Sequence, residues 1–223
     1  MCGRYALTTD PRKLARRFGA EPPPDLPPRY NVAPSQTIPI VRREAEGRRF
    51  ALARWGLVPS WAKDLKLGYS TINARAETVA RKPAFRSAFR RRRCLIPADG
   101  FYEWQASTQT KLKQPWFIAL KDQEPMAFAG LWEHWTDRAG EVLESCCIIV
   151  TEANALMRPI HDRMPVILDP VNWDAWLDPE AHDPASLQAL LMPYPANAMT
   201  AWPVGTKVNN PRHDAPDCLE RLG

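Results

Sequence analysis

Residues 145–150, Ser-Cys-Cys-Ile-Ile-Val, are apolar on both faces of an extended chain. A strand without a polar face has no side to turn to water, so we expect this one in the middle of the fold. Further strand-like runs, bounded by turn-forming residues, lie before and after it. They span residues 2–7, 36–42, 48–57, 93–98, 100–106, 115–121, 126–134 and 199–204, with the central strand itself at 145–151.

The predicted helices are short and scattered. Asp10-Pro11 places a capping residue and a first-turn proline at the start of one helix, and Gly19 ends it. Asp169-Pro170 and Asp183-Pro184 open two more helices by the same pattern, and a short helix is expected after Thr151. Many short strands with a few helices indicate an α+β fold with a curved, barrel-like, mostly antiparallel β core and peripheral short helices.

A basic segment follows residue 70. Residues 71–75 are predicted to lead into a helix that carries Arg81 and Lys82. A further helical turn comes next, and its arginines, including Arg86 and Arg93, are expected to face outward at helical spacing.

Length and composition favour one globular domain. The 223 residues contain 45% hydrophobic residues and no internal repeat, so we expect a single domain over residues 1–223. The 23 prolines predict rigid loops, above all at residues 20–34, which are expected to lack regular structure.

Five cysteines at irregular spacing fit reduced thiols. Without an apolar run of about 20 residues or a signal-peptide pattern, we expect a cytoplasmic protein that does not bind membranes.

The charge is divided unevenly along the chain. Residues 1–110 hold 21 Lys and Arg against 9 Asp and Glu, a balance of +12, and residues 111–223 hold 9 against 16, a balance of −7. This asymmetry suggests a polyanion-binding face built by the first half. Charge alone leaves open a basic surface that is merely solvated.

Cys2 is the most distinctive candidate for chemistry. Removal of Met1 would leave a free amine and a thiol on one residue, and both have ordinary pKa values near ~8. Such a pair can condense with an aldehyde to an imine, which the neighbouring thiol closes to a five-membered thiazolidine at very high effective concentration. The alternative is a small hydrophobic residue at the start of a strand.

Three further residues are candidates, each with an ordinary alternative. Glu103 lies in an aromatic strand, where desolvation would raise its pKa for acid–base work, unless it is an edge residue that faces water. His161 lies in an irregular loop between prolines, where Asp162 and Arg163 could instead hold it in a salt-bridge network. Asn73 could position a sugar or carbonyl oxygen, or could simply cap a helix.

Other classes of site have little support. The chain has no CxxC or HExxH metal motif, no GxSxG nucleophile elbow and no phosphate-binding loop. We therefore expect neither a metal nor a cofactor. Aromatic residues alternate with basic ones between positions 54 and 85, which fits stacking of single-stranded bases combined with phosphate binding, with core packing as the alternative.

Six motifs follow one another in a fixed order at fitting spacings, and the resemblance that they carry covers roughly residues 2–210. They are residues 1–5 (MCGRY), 29–34 (RYNVAP), 55–59 (WGLVP) followed by Trp61, 72–78 (INARAET), 94–104 (CLIPADGFYEW) and 160–165 (IHDRMP). Together they resemble the SOS response-associated peptidase family, known as the SRAP domain.

The resemblance implies a sensor and shield for abasic sites in single-stranded DNA. The amino-terminal cysteine of the family links to the ring-opened aldehyde of the abasic sugar as a thiazolidine, a lyase-like chemistry, and the peptidase name fits self-removal of Met1. By motif match, the catalytic residues are Cys2, Asn73, Glu103 and His161. The matching stretches that line the DNA channel contain Arg4, Asn31, Pro34, Trp61, Arg75, Met164 and Pro165.

One departure from the family concerns phosphate binding. Where relatives carry a basic residue shortly after the Asn-Ala-Arg motif, this chain places Pro83, with Arg81 and Lys82 beside it as candidate contacts. Arg86 completes the expected DNA-binding set. The expected partner is single-stranded DNA with abasic sites, with single/double-strand junctions as a further candidate form, and the expected state is a monomer.

Two other functions use the same residues. An N-terminal-nucleophile cysteine amidohydrolase or peptidase would attack a carbonyl with Cys2 and use its own amine as the base. A single-strand nucleic-acid-binding module would leave Cys2 without a chemical role. Turnover of an amide would favour the first, and equal binding of intact DNA with a silent Cys2→Ala change would favour the second.

Overall fold

The computed structural model describes residues 2–20, 26–107, 112–181 and 183–222. Its strands are β1 (Tyr5–Leu7), β2 (Arg29–Val32), β3 (Thr37–Glu44), β4 (Gly47–Trp55), β5 (Asn73–Arg75), β6 (Arg93–Ala98), β7 (Gly100–Gln105), β8 (Gln114–Leu120), β9 (Met126–Thr136), β10 (Val142–Glu152), β11 (Arg163–Pro165) and β12 (Met199–Pro203). Its α-helices are α1 (Pro11–Phe18), α2 (Arg86–Arg91), α3 (Trp173–Leu177) and α4 (Pro184–Ala189). Every strand predicted from the sequence is confirmed, with small differences at its ends.

Five strands close into a barrel in the order β4, β3, β6, β9 and β10. The ring closes because β10 pairs with β9 on one edge and with β4 on the other. Cys146 lies at this closure, opposite Trp55 of β4 and Trp132 of β9. Closure leaves none of the five strands with a free edge in this region. The prediction of an α+β fold with a barrel-like, mostly antiparallel core is confirmed.

Strand β10 continues beyond the barrel and pairs with two more strands. Residues 148–150 pair in parallel with β5, and residues 150–152 pair antiparallel with β11. Val150 therefore lies between Arg75 and Pro165. Residues 145–150 are all buried. Their lack of a polar face follows from this position, because the strand has neighbours on both edges and packed side chains on both faces.

A second, antiparallel sheet holds the N-terminus against the barrel, in the order β12, β8, β7, β1 and β2. Tyr5 of β1 pairs with Phe101 of β7. The Tyr5 ring lies 5.5 Å from the Trp55 ring, and the Phe101 ring lies 6.1 Å from the Phe128 ring. These aromatic contacts join the sheet to the barrel and fix the position of residues 2–4.

The helices that open with Asp-Pro follow their sequence signals. Asp10 accepts hydrogen bonds from the first-turn N–H groups of α1, and Gly19 ends the helix in the left-handed conformation at a φ of 57°. Asp183 caps α4 in the same way. After Asp169 the chain first makes one 3₁₀ turn, and α3 begins at Trp173. No helix in the described parts of the chain is long and apolar enough to cross a bilayer.

Two of the helix predictions near the site are wrong. Residues 73–75 are extended because they pair with β10, and the segment that carries Arg81 and Lys82 forms turns. After Thr151, β10 continues to Glu152 and turns follow instead of a helix. For residues 73–75, pairing with the central strand outweighs local helical propensity.

Two other expectations also need correction. Arg93 does not face outward with Arg86: it is buried, and its guanidinium donates to main-chain carbonyls, including Phe89 at 2.7 Å and Trp176 at 2.6 Å. Burial lowers the pKa of Arg93 to about 10. The proline-rich loop contains a short strand, β2, because residues 29–32 pair with β1.

Candidate active site

Cys2 is buried and lies three residues before β1, the strand that enters the second sheet. The main-chain carbonyl of Arg4 accepts a hydrogen bond from the Tyr102 N–H at 2.9 Å, next to the pairing of Tyr5 with Phe101. Burial raises the pKa of the Cys2 thiol, the Glu103 carboxylate raises it further, and the Arg4 main-chain N–H opposes both. The thiol and the Glu103 carboxyl are therefore electrostatic neighbours.

Glu103 is a buried carboxyl in the interior of a sheet. It is 3% exposed on β7, which lies between β1 and β8. Burial raises its pKa, and nearby His161 opposes this shift only in part. The expected desolvation is confirmed, and the alternative of an edge glutamate that faces water is wrong. A buried carboxyl with a raised pKa is suited to general acid–base chemistry.

His161 faces Glu103 from the loop before β11. Its Nε2 lies 4.0 Å from Glu103 Oε2, and its Nδ1 accepts a hydrogen bond from the Arg163 N–H at 3.0 Å. With Nδ1 as acceptor, the neutral ring carries its proton on Nε2, toward Glu103. Nδ1 also lies 2.9 Å from the exposed Asp162 carboxylate. His161 therefore lies close both to Glu103 and to its chain neighbours Asp162 and Arg163.

Asn73 lies on β5 and pairs with Ile148 of β10. It belongs to a strand, so the alternative of a helix cap is wrong. Both polar atoms of its side chain are buried, and neither has a hydrogen-bond partner among the described residues. An unsatisfied buried amide is costly, which makes this side chain suited to hold polar groups of a bound molecule.

The residues expected to contact DNA fall into two groups by exposure. Trp61 is 61% exposed, and Arg75, Arg81, Lys82 and Arg86 are also exposed, while Arg4 and Pro34 are half-buried. By contrast Asn31 and Met164 are fully buried, and Pro165 is buried as well. The burial of these last three places them behind the surface, where they support neighbouring residues.

Sequence reasoning missed two features near the site. Arg163 forms an ion pair with Glu77, which fastens the segment after β5 to β11. A cavity of about 460 Å³ opens beside the N-terminal strand, and Trp104 Nε1 in its wall donates to Asn209 Oδ1 at 2.7 Å. Its lining residues are Gly3, Arg4, Trp104, Leu112, Lys113, Thr206 and Asn209. No local pattern announced Thr206 and Asn209, because they reach the cavity only through the folding of the C-terminal segment.

A sequence model of the SOS response associated peptidase (SRAP) family matches residues 1–211. The chain belongs to the SRAP family. It is 46% identical to abasic site processing protein YoqW of Bacillus subtilis, over 99% of both chains. It is 33% identical to abasic site processing protein HMCES of Xenopus tropicalis, over 100% of this chain and 78% of that one.

A solved structure agrees with the fold. The SRAP chain superimposes on a protein from Bacteroides thetaiotaomicron with a TM-score of 0.89 at 28% identity, over 99% of this chain and 100% of the other. The fold is therefore shared with a crystallographically determined protein. The family assignment made from the six sequence motifs is confirmed.

Proposed function

We propose that this SRAP protein senses and shields abasic sites in DNA by a covalent crosslink between Cys2 and the sugar aldehyde. The observation that carries the proposal is the placement of a buried thiol beside Glu103, with His161 4.0 Å from that carboxylate. The names of its abasic site processing relatives support abasic sites as the target. The substrate is single-stranded DNA, with single/double-strand junctions as a further form, and the protein acts as a monomer in the nucleoid.

The reaction requires removal of Met1, which exposes the Cys2 amine. The amine adds to C1′ of the ring-opened sugar, and the carbinolamine loses water to give an imine. The Cys2 thiolate then adds to the imine carbon, and the nitrogen takes up a proton as the thiazolidine closes. The net change is condensation with loss of one water, without an oxidant, a metal or a cofactor.

Each polar residue has one task in this sequence. His161 transfers a proton at the sugar oxygens and opens the closed hemiacetal. Glu103 carries protons for dehydration of the carbinolamine and for thiolate attack, which its raised pKa favours. Asn73 holds a sugar hydroxyl with its buried amide. We further propose that the same Cys2 and Glu103 pair removes Met1 autocatalytically, which accounts for the peptidase in the family description.

DNA binding uses the exposed basic and aromatic side chains. Arg75, Arg81, Lys82 and Arg86 hold phosphates without reading sequence, and Trp61 stacks on a base. Arg4 and Pro34 contact the strand near the nucleophile. Asn31, Met164 and Pro165 support this surface from behind, in accord with their burial.

The test is a denaturing gel of the mature protein with a single-stranded oligonucleotide that contains one abasic site. A heat-stable shifted band is expected, and it should vanish with Cys2→Ala or with an intact oligonucleotide. Absence of the band, from protein shown by mass to begin at Cys2, would contradict the proposal. Turnover of an amide substrate by that protein would then favour the N-terminal-nucleophile hydrolase.

A further inference from the structure

Three side chains near the C-terminus bring a nitrogen, an oxygen and a sulfur atom together, and the proposed reaction uses none of them. They belong to His213, Asp217 and Cys218, and one ligand atom of each lies within 4.8 Å of the other two. His213 Nε2 is 2.6 Å from Asp217 Oδ1, and the Cys218 sulfur is 3.7 Å from the His213 carbonyl oxygen. The His213 and Asp217 side chains are 33% and 25% exposed, whereas Cys218 is buried. The group is therefore open to solvent on one side and closed by protein on the other.

The main chain around these side chains is held in place by contacts with β2. The His213 carbonyl oxygen accepts a hydrogen bond from Asn31 Nδ2 at 2.7 Å. Asp214, the next residue, accepts from the main-chain N–H of Asn31 at 3.0 Å. The other two members of the group lie in the 3₁₀ turn Pro216–Cys218. Because the backbone is fixed, small rotations of the side chains suffice to close them around an ion.

The spacing of the three ligand atoms suits a small cation. Zn²⁺ binds nitrogen, oxygen and sulfur at about 2.0–2.3 Å, so its ligand atoms lie about 3.5 Å from one another in a tetrahedron. Atoms that lie within 4.8 Å reach this spacing by shifts of about 1 Å. Lys207 Nζ binds the other carboxylate oxygen of Asp217, Oδ2, at 2.7 Å. This contact orients the carboxylate and leaves Oδ1 to the ion.

The donor set selects the kind of ion. A thiolate beside an imidazole favours Zn²⁺, because Mg²⁺ and Ca²⁺ prefer ligand sets made of oxygen. Coordination releases the proton of the Cys218 thiol to solvent, and the ion replaces the hydrogen bond between His213 and Asp217. Three protein ligands leave the fourth tetrahedral position to a water molecule.

We propose that His213, Asp217 and Cys218 form a zinc-binding site that fastens the C-terminal segment. The same segment supplies Thr206 and Asn209 to one wall of the cavity of about 460 Å³ beside the N-terminal strand. The ion holds this wall against the rest of the protein. It takes no part in the crosslinking chemistry, and the site does not depend on that chemistry.

The test measures zinc binding to the full chain in a Cys2→Ala background, because the amine and thiol of mature Cys2 would themselves chelate zinc. Isothermal titration calorimetry is expected to show one ion bound per chain at micromolar concentrations. Cobalt(II) in place of zinc is expected to give a thiolate-to-metal charge-transfer absorption in the near ultraviolet.

Two substitutions locate the ion. His213→Ala and Cys218→Ser should each weaken zinc binding by at least about 100-fold, because the loss even of a residue that only orients a ligand costs about 10–100-fold. Cys218→Ser should also abolish the cobalt absorption. The matched control is His134→Ala, which removes an exposed histidine of β9 and should leave zinc binding unchanged.

If Cys218→Ser fails to fold, by circular dichroism, His213→Ala decides the matter alone, since His213 is partly exposed. No binding of zinc at micromolar concentrations would overturn the proposal, and so would zinc binding that survives His213→Ala. Crosslinking of abasic DNA by the mature chain is a separate measurement. Its failure would contradict the proposed function and would leave the zinc site standing.

Discussion

Two glutamates, Glu103 and Glu133, are buried to the same degree, at 3% exposure each, in different surroundings. In the barrel, Glu133 accepts from Arg92 Nη2 at 2.6 Å and from His134 N at 3.1 Å. In the second sheet, Glu103 lies beside the Cys2 thiol, and burial raises its pKa. Removal of a buried carboxylate that is paired with an arginine leaves an uncompensated charge and destabilises the fold. A carboxyl whose pKa is raised beside a nucleophile is instead suited to proton transfer.

The largest expected effect is a difference in crosslinking rate between variants of the two glutamates. Glu103→Gln should slow single-turnover crosslinking of saturating abasic DNA by about 10²–10⁴-fold, because the proton carrier is lost. Glu133→Gln, the matched control, should stay within about twofold of the wild type because Glu133 touches no part of the site. Equal crosslinking rates for the two variants would contradict a proton-transfer role that Glu103 has and Glu133 lacks.

Stability should rank the same two variants in the opposite order. Glu133→Gln leaves the partly buried Arg92 without its carboxylate, so we expect a loss of about 1–3 kcal/mol in the free energy of unfolding. Urea titration followed by tryptophan fluorescence measures it. Glu103→Gln should show no such loss. A lower free energy of unfolding for Glu103→Gln, with no change for Glu133→Gln, would contradict these assigned roles.

The pH dependence of stability sharpens the same contrast. The folded protein holds the Glu103 proton to higher pH than the unfolded chain, because burial raises the pKa above its ordinary value of 4.5. As pH rises from about 4.5 to the raised pKa of Glu103, the free energy of unfolding of the wild type should therefore fall relative to that of Glu103→Gln. Above this pKa the difference between the two proteins should stay constant. The free energies of unfolding of the two proteins, from urea titrations across this window, should diverge. Parallel curves would contradict the raised pKa.

The smallest expected effect concerns the exposed cations. Arg75 pairs with Val150 near the site end of β10, while exposed Arg138 lies in the turn before the other end of that strand. Arg75→Ala should reduce the slope of log affinity for intact single-stranded DNA against log salt by about 0.7, the value for one phosphate contact. Arg138→Ala should leave the slope unchanged, in fluorescence-anisotropy titrations at several salt concentrations. The reverse result would move the DNA-binding face to the opposite end of the barrel.

The parts of the fold with local signals were predictable. Residues 145–150 indicated a central strand because both of their faces are apolar, and Asp10-Pro11 with Gly19 marked a helix by its end groups. Cys2, Glu103 and His161 were found because their residue types and motifs are unusual in those positions. For Glu103 the aromatic neighbours in sequence were also a correct indication of burial.

Features that depend on distant contacts were not predictable. Arg93 looked like one more outward arginine, yet five main-chain carbonyls from α2 and from the segment around α3 surround its guanidinium. Residues 73–75 were expected to lead into a helix, and the parallel pairing with β10 makes them extended. Arg4 and Val208 are 204 positions apart and bonded at 2.7 Å, a contact that no local pattern encodes.

The most direct test of the central claim is the intact mass of the purified crosslink between the mature protein and an abasic oligonucleotide. A thiazolidine on Cys2 predicts the summed masses of both partners less one water, and resistance of the linkage to borohydride. The full sum, without loss of water, would indicate attachment through the thiol alone. An adduct that borohydride reduces would indicate an imine in which the Cys2 sulfur takes no part, and either result would contradict the account.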